Sequence, residues 1–159
     1  MEALQPDFIA NDWLASISGG GVEEPAKPYG AAGHRRNAVV EETFELASRV
    51  MDFCERLIGV NRVFADQVLR SGTSVGSHVR EAQSAESLSD FLHKMKIAHK
   101  ELEETDYRLA LCHVKAHYPH DADLVKRVKA LVPLFHRILT TTRSRLNEQL
   151  AVRRSRRNP

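Results

Sequence analysis

The residue types able to do chemistry gather in the second half of the chain. His113, His117 and His120 lie close together. The first two are one helical turn apart and can share a face, and His120 follows across Pro119. Three imidazoles suit zinc, but no cysteine or carboxylate stands at ligand spacing beside them. The expectation is therefore solvated histidines at a loop edge, with no metal and no cofactor. Cys54 and Cys112 both fall on apolar stripes, where a small buried hydrophobe is the ordinary role. His113 adjoins Cys112, yet consecutive helical positions point in different directions, so no nucleophilic thiolate is expected. Glu101, Glu103, Glu104 and Asp106 form an acidic cluster with Lys100 and Arg108 beside it. Di-iron bundles need Glu-x-x-His motifs, which these glutamates lack, and an ion-paired solvated face is predicted.

A sharper pattern is Arg108-Leu-Ala-Leu-Cys-His113. An arginine that steadies phosphate charge and a histidine that moves a proton are the parts of an RNA-cleaving site. The spacing resembles the arginine–histidine signature of the HEPN ribonucleases, which are also helical bundles. Leu109 stands where that family carries a polar residue, and it belongs to a core stripe. The expected reading is two surface residues flanking core positions, with no catalytic residue assigned. A HEPN-like ribonuclease using Arg108 and His113 stays as the alternative.

The basic residues point to nucleic acid. The chain has 159 residues, 23 lysines and arginines against 21 acidic side chains, and a net charge of +2. That balance conceals a gradient. Residues 1–30 carry Lys27 against Glu2, Asp7, Asp12, Glu23 and Glu24, whereas Arg143, Arg145, Arg153, Arg154, Arg156 and Arg157 oppose only Glu148. Arginine-rich ends hold phosphates without reading sequence. Arg153, Arg154, Arg156 and Arg157 are the candidate contacts in the tail, and Arg80, Lys94, Lys96 and Lys100 are the candidates elsewhere. Phe8, Ile9, Trp13, Leu14 and Ile17 make a short amphipathic segment suited to docking on a protein partner. A pure protein adaptor using this Trp13 segment is a further alternative.

These groups must be positioned by helices. Five of the eight glycines and three of the six prolines lie within the first 33 residues, which is linker chemistry. From His34 to Tyr118 there is no proline, and no alternating β-branched run proposes a strand. The expected division is a disordered or linker-like extension over 1–36, a helical domain over 37–150 and a basic tail over 151–159. Two cysteines cannot make a disulfide scaffold, the start of the chain has no signal-peptide character, and no apolar run spans a membrane. A cytoplasmic protein is expected.

Four apolar stripes recur at helical spacing. Val40, Phe44, Ala47, Met51, Cys54 and Ile58 make the first, widened by Leu46, Val50, Phe53 and Leu57. Asn37 is its expected cap and Gly59 its end. Phe64, Val68, Ser71, Val75 and Val79 make the second, through a Ser- and Gly-rich centre that tight packing can hold helical. The third runs from about Ser87 to His117 with Leu88, Phe91, Met95, Ala98, Leu102, Thr105, Leu109 and Cys112. Val125, Val128, Val132, Phe135, Leu139, Thr142 and Leu146 make the fourth, behind an Asp121 cap and with a kink expected at Pro133. Short connections predict an all-α, up-down-up-down four-helix bundle with flexible N- and C-terminal tails. Stripes wider than one seam leave apolar surface for self-association.

Three blocks carry a family resemblance. They are Leu69-Arg-Ser-Gly-Thr-Ser-Val-Gly-Ser-His-Val-Arg-Glu-Ala, Ser89-Asp-Phe-Leu-His-Lys-Met and Lys100-Glu-Leu-Glu-Glu-Thr-Asp-Tyr-Arg-Leu. Together they closely resemble the four-helix-bundle proteins encoded by intervening sequences of bacterial 23S ribosomal RNA genes, across roughly residues 40–148. That family is similar to the accessory variability determinant of diversity-generating retroelements. The resemblance implies a homopentamer with basic surface for RNA or DNA, no catalysis and, in the retroelement members, a reverse transcriptase as partner. Arg70, Ser71, Ser74, Val75, Glu81, Phe91, Glu101, Glu104 and Thr105 match the family pattern. Ser71, Ser74 and Val75 are expected in close helix packing and Phe91 in the core. Arg70, Arg80, Glu81, Glu101 and Glu104 are expected in inter-helix ion pairs. Arg108 departs from the pattern, since an aromatic commonly follows the tyrosine block.

Overall fold

The computed structural model describes residues 37–157, with the side chains of Arg156 and Arg157 left out. The Trp13 segment and the glycine-rich stretch lie outside the described residues. Four helices follow one another: α1 (Ala38–Leu57), α2 (Arg62–Ala82), α3 (Leu88–His113) and α4 (Ala122–Arg157). Each consecutive pair packs together, and α4 closes the ring with a lighter contact on α1. This is the arrangement short loops demand, a four-helix bundle.

The helix starts follow from local chemistry. The Asn61 side chain accepts the Phe64 amide at 3.0 Å, Ser87 accepts that of Asp90 at 3.1 Å, and Asp121 accepts that of Leu124 at 2.9 Å. Each satisfies one donor that a helix start leaves unpaired. Asn37 behaves otherwise. It sits at the start of α1 without a side-chain cap bond, and its amide instead donates to Gln83 Oε1 at 2.8 Å, tying the start of α1 to the end of α2.

The predicted stripes supply most of the core on α2 and α3, although Phe64 is only half-buried and Ala65, Gly72 and Ala82 join the α2 core. Val68, Ser71, Val75 and Val79 are buried on α2, and Leu88, Phe91, Met95, Ala98, Leu102, Thr105, Leu109 and Cys112 on α3. On α1 the core takes one side of the predicted face. Cys54 of the stripe and the widening residues Leu46, Val50, Phe53 and Leu57 are buried, joined by Val39 and Thr43. Phe44 and Met51 of the stripe, and Ile58 just past the helix end, are instead 47%, 54% and 49% exposed. The cause lies on α2. A Cβ at Gly72 would meet Val50 Cγ1 at 2.6 Å, and one at Gly76 would meet the Thr43 carbonyl at 3.1 Å. The two glycines receive that edge of α1, so it is the edge that turns inward.

Helicity persists through the Ser- and Gly-rich centre of α2. Its buried hydroxyls find partners: Ser71 Oγ donates to the Val68 carbonyl at 3.2 Å and accepts from Thr105 Oγ1 at 3.0 Å. Thr105 also stands 2.8 Å from the Glu101 carbonyl, so a hydrogen-bonded hydroxyl pair links α2 to α3. α3 ends at His113, short of the predicted His117. α4 runs continuously through Pro133; the missing amide lies on an exposed turn. At ~1.5 Å per residue, its 36 residues reach about 54 Å, against about 30 Å for α1. Its last fully buried residue is Thr142, so the final turns project beyond the core.

Candidate nucleic-acid interface

Charge is sorted by helix. α4 carries Lys126, Arg127, Lys129, Arg137, Arg143, Arg145, Arg153, Arg154, Arg156 and Arg157, opposed only by Asp123 and Glu148. α1 carries Glu41, Glu42, Glu45, Asp52 and Glu55 against Arg49 and Arg56. Where the two meet they bond, Arg127 Nη1 to Glu42 Oε2 at 2.6 Å. Lys126, Lys129, Arg143, Arg153 and Arg154 are exposed. The predicted tail arginines thus continue a helix that is basic along most of its length. The sequence reading took only its last residues and missed Lys126, Lys129 and Arg137, which a count of charge per helix would have found.

The other predicted contacts divide. Arg80 and Lys94 line a surface groove between the end of α2 and the start of α3, shared with Glu81, Glu86 and Asp90. Lys94 Nζ stands 3.6 Å from Asp90 Oδ1. Acidic neighbours offset this groove's cations, which makes it a weak phosphate site. Lys96 and Lys100 are exposed on α3.

Two of the three family-pattern carboxylates pair within their own helix, not between helices as expected. Glu81 meets His78 at 3.4 Å, and Glu104 accepts from Arg108 at 2.9 Å. Ser71, Val75, Phe91 and Thr105 are buried, Ser74 and Glu101 half-buried, and Arg70 exposed. The packing roles expected for Ser71, Val75 and Phe91 match these positions.

Arg108 and His113 do not converge on a shared centre. Five residues on a helix turn the chain by about 140° at the usual ~100° per residue. Arg108 holds Glu104, while His113 Nδ1 lies 3.3 Å from His120 Nδ1. His117 packs edge-on against Tyr118, so the loop histidines form a pair and not a triad. Both cysteines are buried. Burial, with Cys112 and Asp66 adding to it, pushes the Cys54 thiol up to about 11, and burial raises Cys112 as well. Neither is a ready thiolate.

One cluster went unseen in the sequence. Glu103, predicted as part of a solvated face, stands one turn after His99, and His136 on α4 faces the same point. His99 Nε2 is 3.4 Å from Glu103 Oε1, the two imidazoles are 4.8 Å apart, and ligand atoms of all three lie within 4.8 Å of one another. His99 also packs against the Phe135 ring. Burial, aided by His136 and opposed by Glu103, lowers the His99 pKa, which favours the neutral ring. The His99–Glu103 spacing was legible, but the third member required the register of α4 on α3.

No helix among the described residues is long and apolar enough to cross a membrane. No curated protein matches the chain. A crystal structure of a protein of unknown function from the S23 ribosomal protein family of Bacteroides thetaiotaomicron is similar, with 31% identity and a TM-score of 0.60, covering 64% of this chain and 97% of that one. Residues 35–133 match the profile of the 23S rRNA-intervening sequence proteins. The three sequence blocks, the bundle and this match agree, and the chain belongs to the 23S rRNA-intervening sequence protein family.

Proposed function

We propose that the protein is a non-enzymatic, cytoplasmic, self-associating helical scaffold that binds nucleic acid through α4. The observation that carries this reading is the sorting of charge: ten basic side chains on α4 against two acidic ones. A basic helix with exposed lysines and arginines contacts the sugar-phosphate backbone whatever the sequence. The projecting end of α4 gives such contacts reach beyond the bundle. A nucleic-acid-processing protein such as a reverse transcriptase is the protein partner that fits the same role. The exposed Met51 of α1 and Ile58 just past its end, seven residues apart, supply an apolar stripe for self-association, and a pentamer is the assembly proposed. Several copies would multiply the basic helices in one particle and raise avidity. Retention of the full chain on immobilised RNA and DNA, compared with a chain lacking residues 153–157, tests the interface. Loss of retention with the deletion is expected. Unchanged retention would move the contact onto the bundle, to Lys96 and Lys100, and no retention at low salt would end the reading.

A further inference from the structure

We propose that His99, Glu103 and His136 form a binding site for a single divalent transition-metal ion, best suited to zinc. Two imidazoles and one carboxylate are a nitrogen- and oxygen-rich donor set of the kind first-row metals prefer. The helices supply them in the right way. His99 and Glu103 are four apart on α3 and therefore stacked on one face, and α4 presents His136 across the seam.

The spacing of the donors fits an ion better than it fits direct pairing. His99 Nε2 is buried and makes no hydrogen bond, although Glu103 Oε1 is only 3.4 Å away. Two ligands each ~2.0–2.1 Å from a tetrahedral zinc are separated by about 3.4 Å. An ion between them satisfies a buried nitrogen that the carboxylate approaches but does not bond. The third ligand has only to close from within 4.8 Å, a movement open to the exposed His136 side chain. Three protein ligands leave a fourth position, and the exposure of Glu103 and His136 opens it to water.

The consequence is a clip between α3 and α4, and it is independent of nucleic-acid binding. The His113–His120 pair at 3.3 Å is the internal competitor, since two imidazoles there also attract metal.

The test uses full-length protein stripped with chelator and titrated with zinc chloride, read by calorimetry and by thermal unfolding. One ion per chain and a rise in unfolding temperature are expected. His136→Gln and Glu103→Gln, both at exposed positions that leave the core intact, weaken binding by more than about 100-fold, beyond the 10–100-fold that loss of an outer-shell partner costs. His113→Ala with His120→Ala leaves binding in place. Circular dichroism confirms that each variant is folded. Absence of saturable zinc binding by the wild type overturns the proposal. So does binding that survives His136→Gln, or that disappears with the His113 and His120 changes.

Discussion

Asp121 joins two tasks at the start of α4. Its Oδ1 accepts the Leu124 amide at 2.9 Å and its Oδ2 accepts from Arg56 Nη2 at 2.7 Å, so one carboxylate caps α4 and ties it to the end of α1. Burial works to raise its pKa, but the Leu124 hydrogen bond and the Arg56 guanidinium outweigh that and hold it below the ordinary value of 3.8. A folded pKa below the unfolded one means stability present above the unfolded value and lost as pH falls through the folded one. Asp121→Ala is expected to cost about 1 kcal/mol at neutral pH, the usual worth of a cap. It should also flatten the decline in stability below about pH 4, measured by urea unfolding across a pH series. Gly72 is the second decisive residue. A methyl there meets Val50 Cγ1 at 2.6 Å, and overpacking costs roughly 1–3 kcal/mol, more than the helix gains from alanine. Gly72→Ala therefore destabilises. Combined with Val50→Ala it should cost less than the sum of the two single changes, and denaturant midpoints for all four proteins measure that coupling.

At the scale of the helix, what the sequence disclosed depended on how wide each apolar arc is. α2 and α3 have one narrow stripe apiece, and the periodicity alone placed Val68, Val75, Met95 and Leu102 in the core, each fully buried. α1 has an apolar arc broad enough to offer two edges. Its pattern offered both the Phe44, Met51 and Ile58 edge and the Leu46, Val50, Phe53 and Leu57 edge. The glycines of α2 select the second together with Thr43, a neighbour's property that no window on α1 contains. Small residues were informative for the same reason. Gly72, Ser71 and Gly76 are poor helix formers whose value appears only once α1 and α3 lie against them. The basic interface was half legible: the arginines after residue 142 stand out in sequence, whereas Lys126, Lys129 and Arg137 join them only because α4 is one uninterrupted helix. The His99, Glu103 and His136 cluster was the least legible, since His99 and His136 lie 37 positions apart in sequence and meet through helix register. Arg108 and His113 show the converse, a suggestive spacing that the helix turns apart.

As a whole molecule, the protein places an acidic helix and a basic helix side by side and leaves apolar residues on the outer edge of the acidic one. Met51 and Ile58, about half exposed, leave much of their apolar surface in water in a lone bundle. Met51→Asp with Ile58→Asp is thus expected to keep the fold, at a modest cost in unfolding temperature, while shifting the particle from oligomer to monomer, read by light scattering. A mass unaffected by both changes would place self-association elsewhere. The central claim is that α4 holds nucleic acid through phosphate contacts, and the salt dependence of affinity tests it most directly. Fluorescence anisotropy with labelled RNA and DNA over a salt series gives log K against log salt, whose slope counts phosphate contacts at about 0.7–0.9 each. A steep negative slope is predicted, flattened by up to about 3–4 in the chain lacking residues 153–157, which removes four arginines. A slope near zero, or one untouched by that deletion and by neutralising Lys126, Lys129 and Arg143, would contradict the account.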